Sequence, residues 1–132
     1  NVRHLQELYS ACQVMPAVNQ VEMSPFLFQK DLLENCQARD ILVTAFSPFG
    51  RGQVLGDPVL ADIGKRHRKT PAQVILRWCL QKGMAAIPRS ADIGHIRQNS
   101  QIFSFSLDQD DMARLDLLHS GLRTTTDPDT YE

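Results

Sequence analysis

Neither sign of charge is in excess in this chain: 14 lysines and arginines stand against 15 aspartates and glutamates, a formal charge of −1. Such a balance builds no global field to gather polyanions, so neither nucleic acid nor a membrane surface is expected as a partner, and a small molecule is. Cysteine is scarce. Cys12, Cys36 and Cys79 are odd in number, share no CxxC spacing and lie in apolar stretches, which argues against a disulfide framework and suits small buried hydrophobes in a reducing compartment. No segment approaches the ~18 continuous apolar residues of a membrane span. The first residues also lack a basic start leading into an apolar run, so a soluble, cytoplasmic protein is expected. His4, His67 and His119 are scattered, and no HExxH or acidic cluster is present, so no metal is expected.

What is present is ordinary globular material, 42% hydrophobic and 22% charged over 132 residues, enough for one domain with a core. Val2, Leu5, Leu8, Tyr9 and Cys12 recur at helical spacing behind Asn1, a candidate N-cap. A strand is expected over 15–23, then a helix carrying Leu32, Leu33 and Cys36. The run Ile41 to Phe46 is too continuously apolar for a half-exposed strand and suits a parallel strand covered on both faces. Asp57-Pro58 and Thr70-Pro71-Ala72-Gln73 each read as an N-cap with proline at the first helical position, the second also as a capping box. Gly83 closes that helix, and a third strand is expected over 84–88. A helix through Ile93 and Ile96 and another capped by Asp108 follow. Beyond Gly121 no apolar period remains, and a mobile tail is expected. The pattern is three consecutive βα units. Three parallel strands with helices on one side leave two open edges and an uncovered inner face, so the chain reads as incomplete or self-associating.

In such folds ligands bind beyond the carboxyl ends of the strands, which here directs attention to three exits. Arg89 and Ser90 follow Pro88 near a helix start, where a guanidinium, a hydroxyl and free amides can hold a phosphate. An exposed arginine with Ser90 serving only as N-cap is the competing reading. His95, Gln98 and Asn99 lie on the next turns. Phe46 can stack on a flat heterocycle or simply fill the core. Of the carboxamides Asn19 and Gln20, one must face the sheet's inner side, there to meet a ligand amide or an internal partner. The cluster Lys65-Arg66-His67-Arg68-Lys69 reads as a solvated helix C-terminus in preference to a nucleic-acid patch.

Together the segments Pro16-Ala17-Val18-Asn19-Gln20-Val21-Glu22, Thr44-Ala45-Phe46-Ser47-Pro48-Phe49-Gly50, Lys69-Thr70-Pro71-Ala72-Gln73, Ile87-Pro88-Arg89-Ser90 and Ile96-Arg97-Gln98-Asn99 resemble the C-terminal half of the aldo-keto reductase family. The resemblance covers residues 1–118, with 119–132 left as a flexible tail. It implies an α/β fold, the part around strands six to eight of a parallel (β/α)8 TIM barrel, which when complete takes about 250 residues. It further implies NADPH-dependent reduction of an aldehyde or ketone, with NADH possible as cofactor. By position, Gln20 would bind the nicotinamide carboxamide, Phe46 would stack on its ring, and Ser47 and Phe49 would form the pyrophosphate loop. Arg89 and Ser90 would meet the adenosine 2′-phosphate, and Gln98 and Asn99 the adenine.

Two departures qualify that picture. His95 stands where the family commonly has a second phosphate-gripping arginine, and neutral imidazole is a weaker anion ligand near pH 7. Nothing matches the family's Asp, Tyr, Lys and His proton-donor set; Tyr9 lies on a helix's apolar face and Tyr131 in the tail. No catalytic residue is therefore expected here. The isolated chain is expected to be inactive, with a non-enzymatic NADP(H)-binding or regulatory module as the alternative.

Overall fold

The computed structural model describes residues 1–130. Three strands, β1 (Val18–Glu22), β2 (Leu42–Phe46) and β3 (Ala85–Ile87), form one parallel sheet in the order β1-β2-β3. The register pairs Gln20 with Thr44 and Thr44 with Ala85, and likewise Glu22 with Phe46 and Phe46 with Ile87. β1 and β3 are shorter than the runs that announced them, 18–22 within 15–23 and 85–87 within 84–88.

The helices are α1 (Val2–Ala11), α2 (Lys30–Gln37), α3 (Pro58–His67), α4 (Pro71–Gln81), α5 (Ile93–Ser100) and α6 (Gln109–Asp116). Their starts are set by short-range chemistry. Asn1 accepts from the His4 amide, Asp57 from the amides of Val59 and Leu60, and Asp108 from the Asp111 amide. Thr70 and Gln73 form a reciprocal capping box at α4, satisfying two donors that the helix cannot use itself. Gly64 is required by proximity: a Cβ there would lie 2.5 Å from the Lys69 carbonyl oxygen, where the chain turns from α3 into α4.

α2 packs on β2 and α4 on β3, covering the sheet face that carries Val43 and Ala45. Leu32, Leu33, Cys36, Val74, Ile75 and Trp78 complete that core, and Trp78 meets Phe28 edge to face with ring centroids 5.1 Å apart. The opposite face carries no helix among the described residues, and Val18, Leu42 and Ile87 on it are 50%, 45% and 47% exposed. Strand alternation places Gln20 on this open face, while Asn19 turns to the helix side and its Nδ2 lies 3.5 Å from the Cys36 Sγ. No described helix is long and apolar enough to cross a membrane.

Three local expectations are revised. Cys36 and Cys79 are fully buried, and burial pushes the Cys79 thiol up to about 12, but Cys12 is only half-buried at the end of α1. The basic cluster is not simply solvated: Arg66 and His67 bind the buried carboxylate of Asp111 at 2.9 and 2.6 Å, joining α3 to α6. The segment expected as a tail lies against the sheet's carboxyl end. Ser120 and Leu122 donate their amides to the Phe26 carbonyl, and Thr124 and Thr125 donate to the carboxylate of Glu22. Residues 131–132, including Tyr131, lie outside the described residues.

Candidate functional site

A cleft of about 950 Å³ opens beyond the carboxyl ends of β2 and β3, the position where parallel sheets bind ligands. One wall is the loop after β2, with Ser47, Pro48, Phe49, Arg51, Gly52 and Leu55; the other is the loop after β3 with Arg89, Ser90 and Ala91, continued by His95, Gln98 and Asn99 of α5. The N-terminus of α4, Thr70 to Ala72, forms the floor between them. Gln73 fixes that floor to the second wall by donating from Nε2 to the Gln98 carbonyl at 2.8 Å.

The first wall is bent by its backbone. Ser47, Gly50, Arg51 and Gly52 all have positive φ, at 47°, 51°, 54° and 89°. Two of these are not glycine, and such strain, of order 1–3 kcal/mol each, clusters where a loop must present its backbone closely to something else. Hydrogen bonds from the Gly50 amide to Ser47 O (2.9 Å) and from the Gly52 amide to Phe49 O (2.7 Å) hold the shape.

Of the nine residues singled out in the sequence, Ser47, Phe49, Arg89, Ser90, His95, Gln98 and Asn99 line this cleft. Gln20 and Phe46 do not; they share the sheet's open face, Gln20 exposed opposite Thr44 and Phe46 half-buried opposite Glu22. Phe46 runs directly into the cleft wall at Ser47. Ser90 is not an N-cap. Its hydroxyl accepts from the Asp92 amide at 3.1 Å, and Asp92 caps α5 by accepting from the His95 amide at 2.8 Å. That backbone bond is the main reason the Asp92 carboxyl is held below its ordinary value; desolvation opposes it and the His95 imidazole adds to it.

The guanidinium of Arg89 is exposed and has no hydrogen-bond or ion-pair partner among the described residues. The cleft wall therefore presents a free cation, a hydroxyl and an imidazole to whatever enters. It contains no tyrosine, lysine or carboxylate. Tyr9 is remote from it, on α1, with its hydroxyl donating to Asn35 at 3.2 Å. No group of three or more His, Cys, Asp or Glu side chains suited to a metal occurs among the described residues.

The sequence profile of the Aldo/keto reductase family matches residues 1–119. The chain belongs to this family. An uncharacterized oxidoreductase of Bacillus subtilis, YtbE, is 45% identical over 131 residues, covering 99% of this chain and 47% of the relative. Glyoxal reductase of the same organism is 44% identical over 128 residues, covering 97% and 46%. Among solved structures, a Gox0644 mutant in complex with NADPH superposes with a TM-score of 0.93 at 35% identity, covering 100% of this chain and 49% of that one. The chain thus spans about half the length of the aldo-keto reductases it matches, and its parallel sheet is part of their TIM-barrel architecture.

Arg51, Leu55 and the start of α4 were missed as wall residues in the sequence. For Arg51 the flanking glycines of Gly50-Arg51-Gly52 were the available hint, since they mark a tight bend whose central side chain must project outward.

Proposed function

We propose that this chain carries the NADP(H)-binding part of an aldo-keto reductase that reduces an aldehyde or ketone to an alcohol. The observation that carries the reading is the unpaired Arg89 guanidinium beside Ser90 in a cleft of about 950 Å³, large enough for most of a dinucleotide. Arg89 and Ser90 would hold the 2′-phosphate, with His95 beside them and Gln98 and Asn99 toward the adenine. The backbone of the Ser47–Gly52 loop, bent by its left-handed residues, would lie along the pyrophosphate. Gln20, on the open face, would pair with the nicotinamide carboxamide, and Phe46 would present its ring to the heterocycle. When bound, the reduced nicotinamide supplies a hydride; NADH is the alternative cofactor, because with His95 in place of a cation the grip on the 2′-phosphate that favours NADPH is weaker.

Calorimetric titration with NADPH and NADH tests the reading. Arg89→Ala should remove one charge-assisted contact, worth about 1.5–3 kcal/mol, and so weaken NADPH by roughly 10- to 100-fold while leaving NADH nearly unchanged. Equal loss for both cofactors, or no binding by the wild-type chain, would overturn it.

Apart from His95, which the reading places at the phosphate end, the wall has no side chain suited to protonate a carbonyl oxygen, which favours a second reading: a binding module without turnover. Carbonyl-dependent consumption of NADPH by the purified chain separates the two. We expect binding and no consumption, with glyoxal as the first carbonyl to try because a relative is a glyoxal reductase.

A further inference from the structure

Glu22 is a carboxylate only 3% exposed at the carboxyl end of β1, and no cation neutralises it among the described residues. Burying such a charge costs several kcal/mol unless hydrogen bonds replace its water. Four do. Thr124 donates from its amide and hydroxyl to Oε1 at 2.8 and 2.5 Å, and Thr125 donates likewise to Oε2 at 3.1 and 2.6 Å. All four donors come from two consecutive residues that are otherwise far away in the chain.

The anchored segment also touches the cleft's first wall. Just before the threonines, the Ser120 and Leu122 amides both donate to the Phe26 carbonyl, which fixes the backbone on either side of Gly121. The Leu122 side chain, packed against the core cluster that contains Val54, then comes near the loop after β2: its Cδ2 lies 3.8 Å, and the Val54 Cγ1 3.2 Å, from the point where a Cβ on Gly50 would sit. Gly50 has positive φ and its amide closes the turn on Ser47. A continuous path of bonds and packing therefore runs from Glu22 through the C-terminal segment to the loop that forms one wall of the cleft.

We propose that Glu22 is a positioning residue for the cleft: it fixes segment 120–125, and through Leu122 that segment holds the Ser47–Gly52 loop in its ligand-ready shape. The inference rests on reading the cleft as a dinucleotide site for its effect on affinity, but not for its effect on the loop. Glu22→Gln is the sharp substitution. It keeps the volume, but its amide group presents hydrogens to donors that need an acceptor, so half of the clamp is lost.

The experiment measures hydrogen exchange and NADPH affinity on the same variants. In Glu22→Gln the amides of Thr124 and Thr125 should exchange faster, and so should those of Gly50, Gly52 and Gln53, whose turn bonds lie in the loop. NADPH should bind about fivefold more weakly, equivalent to about 1 kcal/mol. The double substitution Thr124→Val with Thr125→Val should repeat this, and Thr124→Ser with Thr125→Ser, which restores both hydroxyls, should not. Faster exchange confined to 124–125, with the loop amides and affinity unchanged, overturns the proposal. Should Glu22→Gln fail to fold, Leu122→Ala is read in the same way, since it cuts the path without touching the carboxylate; an unchanged loop again overturns it. A wild-type chain that binds no NADPH while its loop still responds to Glu22→Gln defeats the dinucleotide reading and leaves the positioning role standing.

Discussion

The Asp92 carboxylate accepts a hydrogen bond from the His95 amide at 2.8 Å, so the first turn of α5 already holds an anion of its own. This changes how a phosphate can be gripped at the cleft. The helix end is satisfied internally, and attraction must come from Arg89, the Ser90 hydroxyl and the His95 ring, with Arg51 on the opposite wall. It also places a negative charge close to the proposed phosphate position.

Asp92→Asn should therefore tighten NADPH. Asparagine caps a helix about as well as aspartate, so α5 stays intact while the like charge disappears. We expect NADPH to bind several-fold more tightly and NADH to be unaffected, with the gain shrinking as salt is raised. Isothermal titration at two ionic strengths checks both parts.

His95→Arg should raise the preference for NADPH over NADH. A guanidinium stays charged at every accessible pH and makes paired bonds to phosphate that neutral imidazole cannot. The ratio of the two dissociation constants should shift toward NADPH by about tenfold, the value of one added charge-assisted bond.

Asp57→Ala should cost stability without touching the site. Asp57 satisfies the amides of Val59 and Leu60 at 2.8 and 3.3 Å, and it lies outside the cleft wall. The loss should be about 1 kcal/mol, measured as a lower denaturant midpoint with an unchanged slope. Cofactor affinity should not move.

Acid should release Glu22 late. Burial alone would push its carboxyl up, but the hydrogen bonds from Thr124 and Thr125 outweigh that and leave it lowered from the ordinary 4.5. A group depressed in the folded state contributes stability that is complete above its unfolded pKa and disappears as pH falls through the folded one. The stability difference between wild type and Glu22→Gln should thus be constant near neutrality, begin to shrink near pH 4.5, and vanish below the folded value. Urea titrations across that range measure it.

What the sequence revealed followed the range of the interaction. Asp57-Pro58 and Thr70 with Gln73 are complete within four residues, and the structure realises both as drawn. Ser90 was a harder case, because two N-cap residue types stand within three positions; the chain uses Asp92 and spends the Ser90 hydroxyl on the Asp92 amide. Partners far apart left no local trace: Glu22 and Thr124 are separated by 102 positions, and Arg66 and Asp111 by 45. The common location of Ser47, Phe49, Arg89, Ser90 and His95 was legible because parallel strands deliver their exits to one side. Arg51 was not, since nothing about an arginine side chain announces a left-handed backbone.

That left-handed Arg51 sets up a trade between durability and grip. A non-glycine residue at φ 54° costs roughly 1–2 kcal/mol relative to a relaxed conformation. Glycine at position 51 would relieve the tension and harden the resting fold, yet it would strip a cation from the cleft and hand the bend a freedom that any incoming ligand must then freeze out. A library selected only for heat resistance would drift toward that glycine, and its winners would hold their guests more loosely.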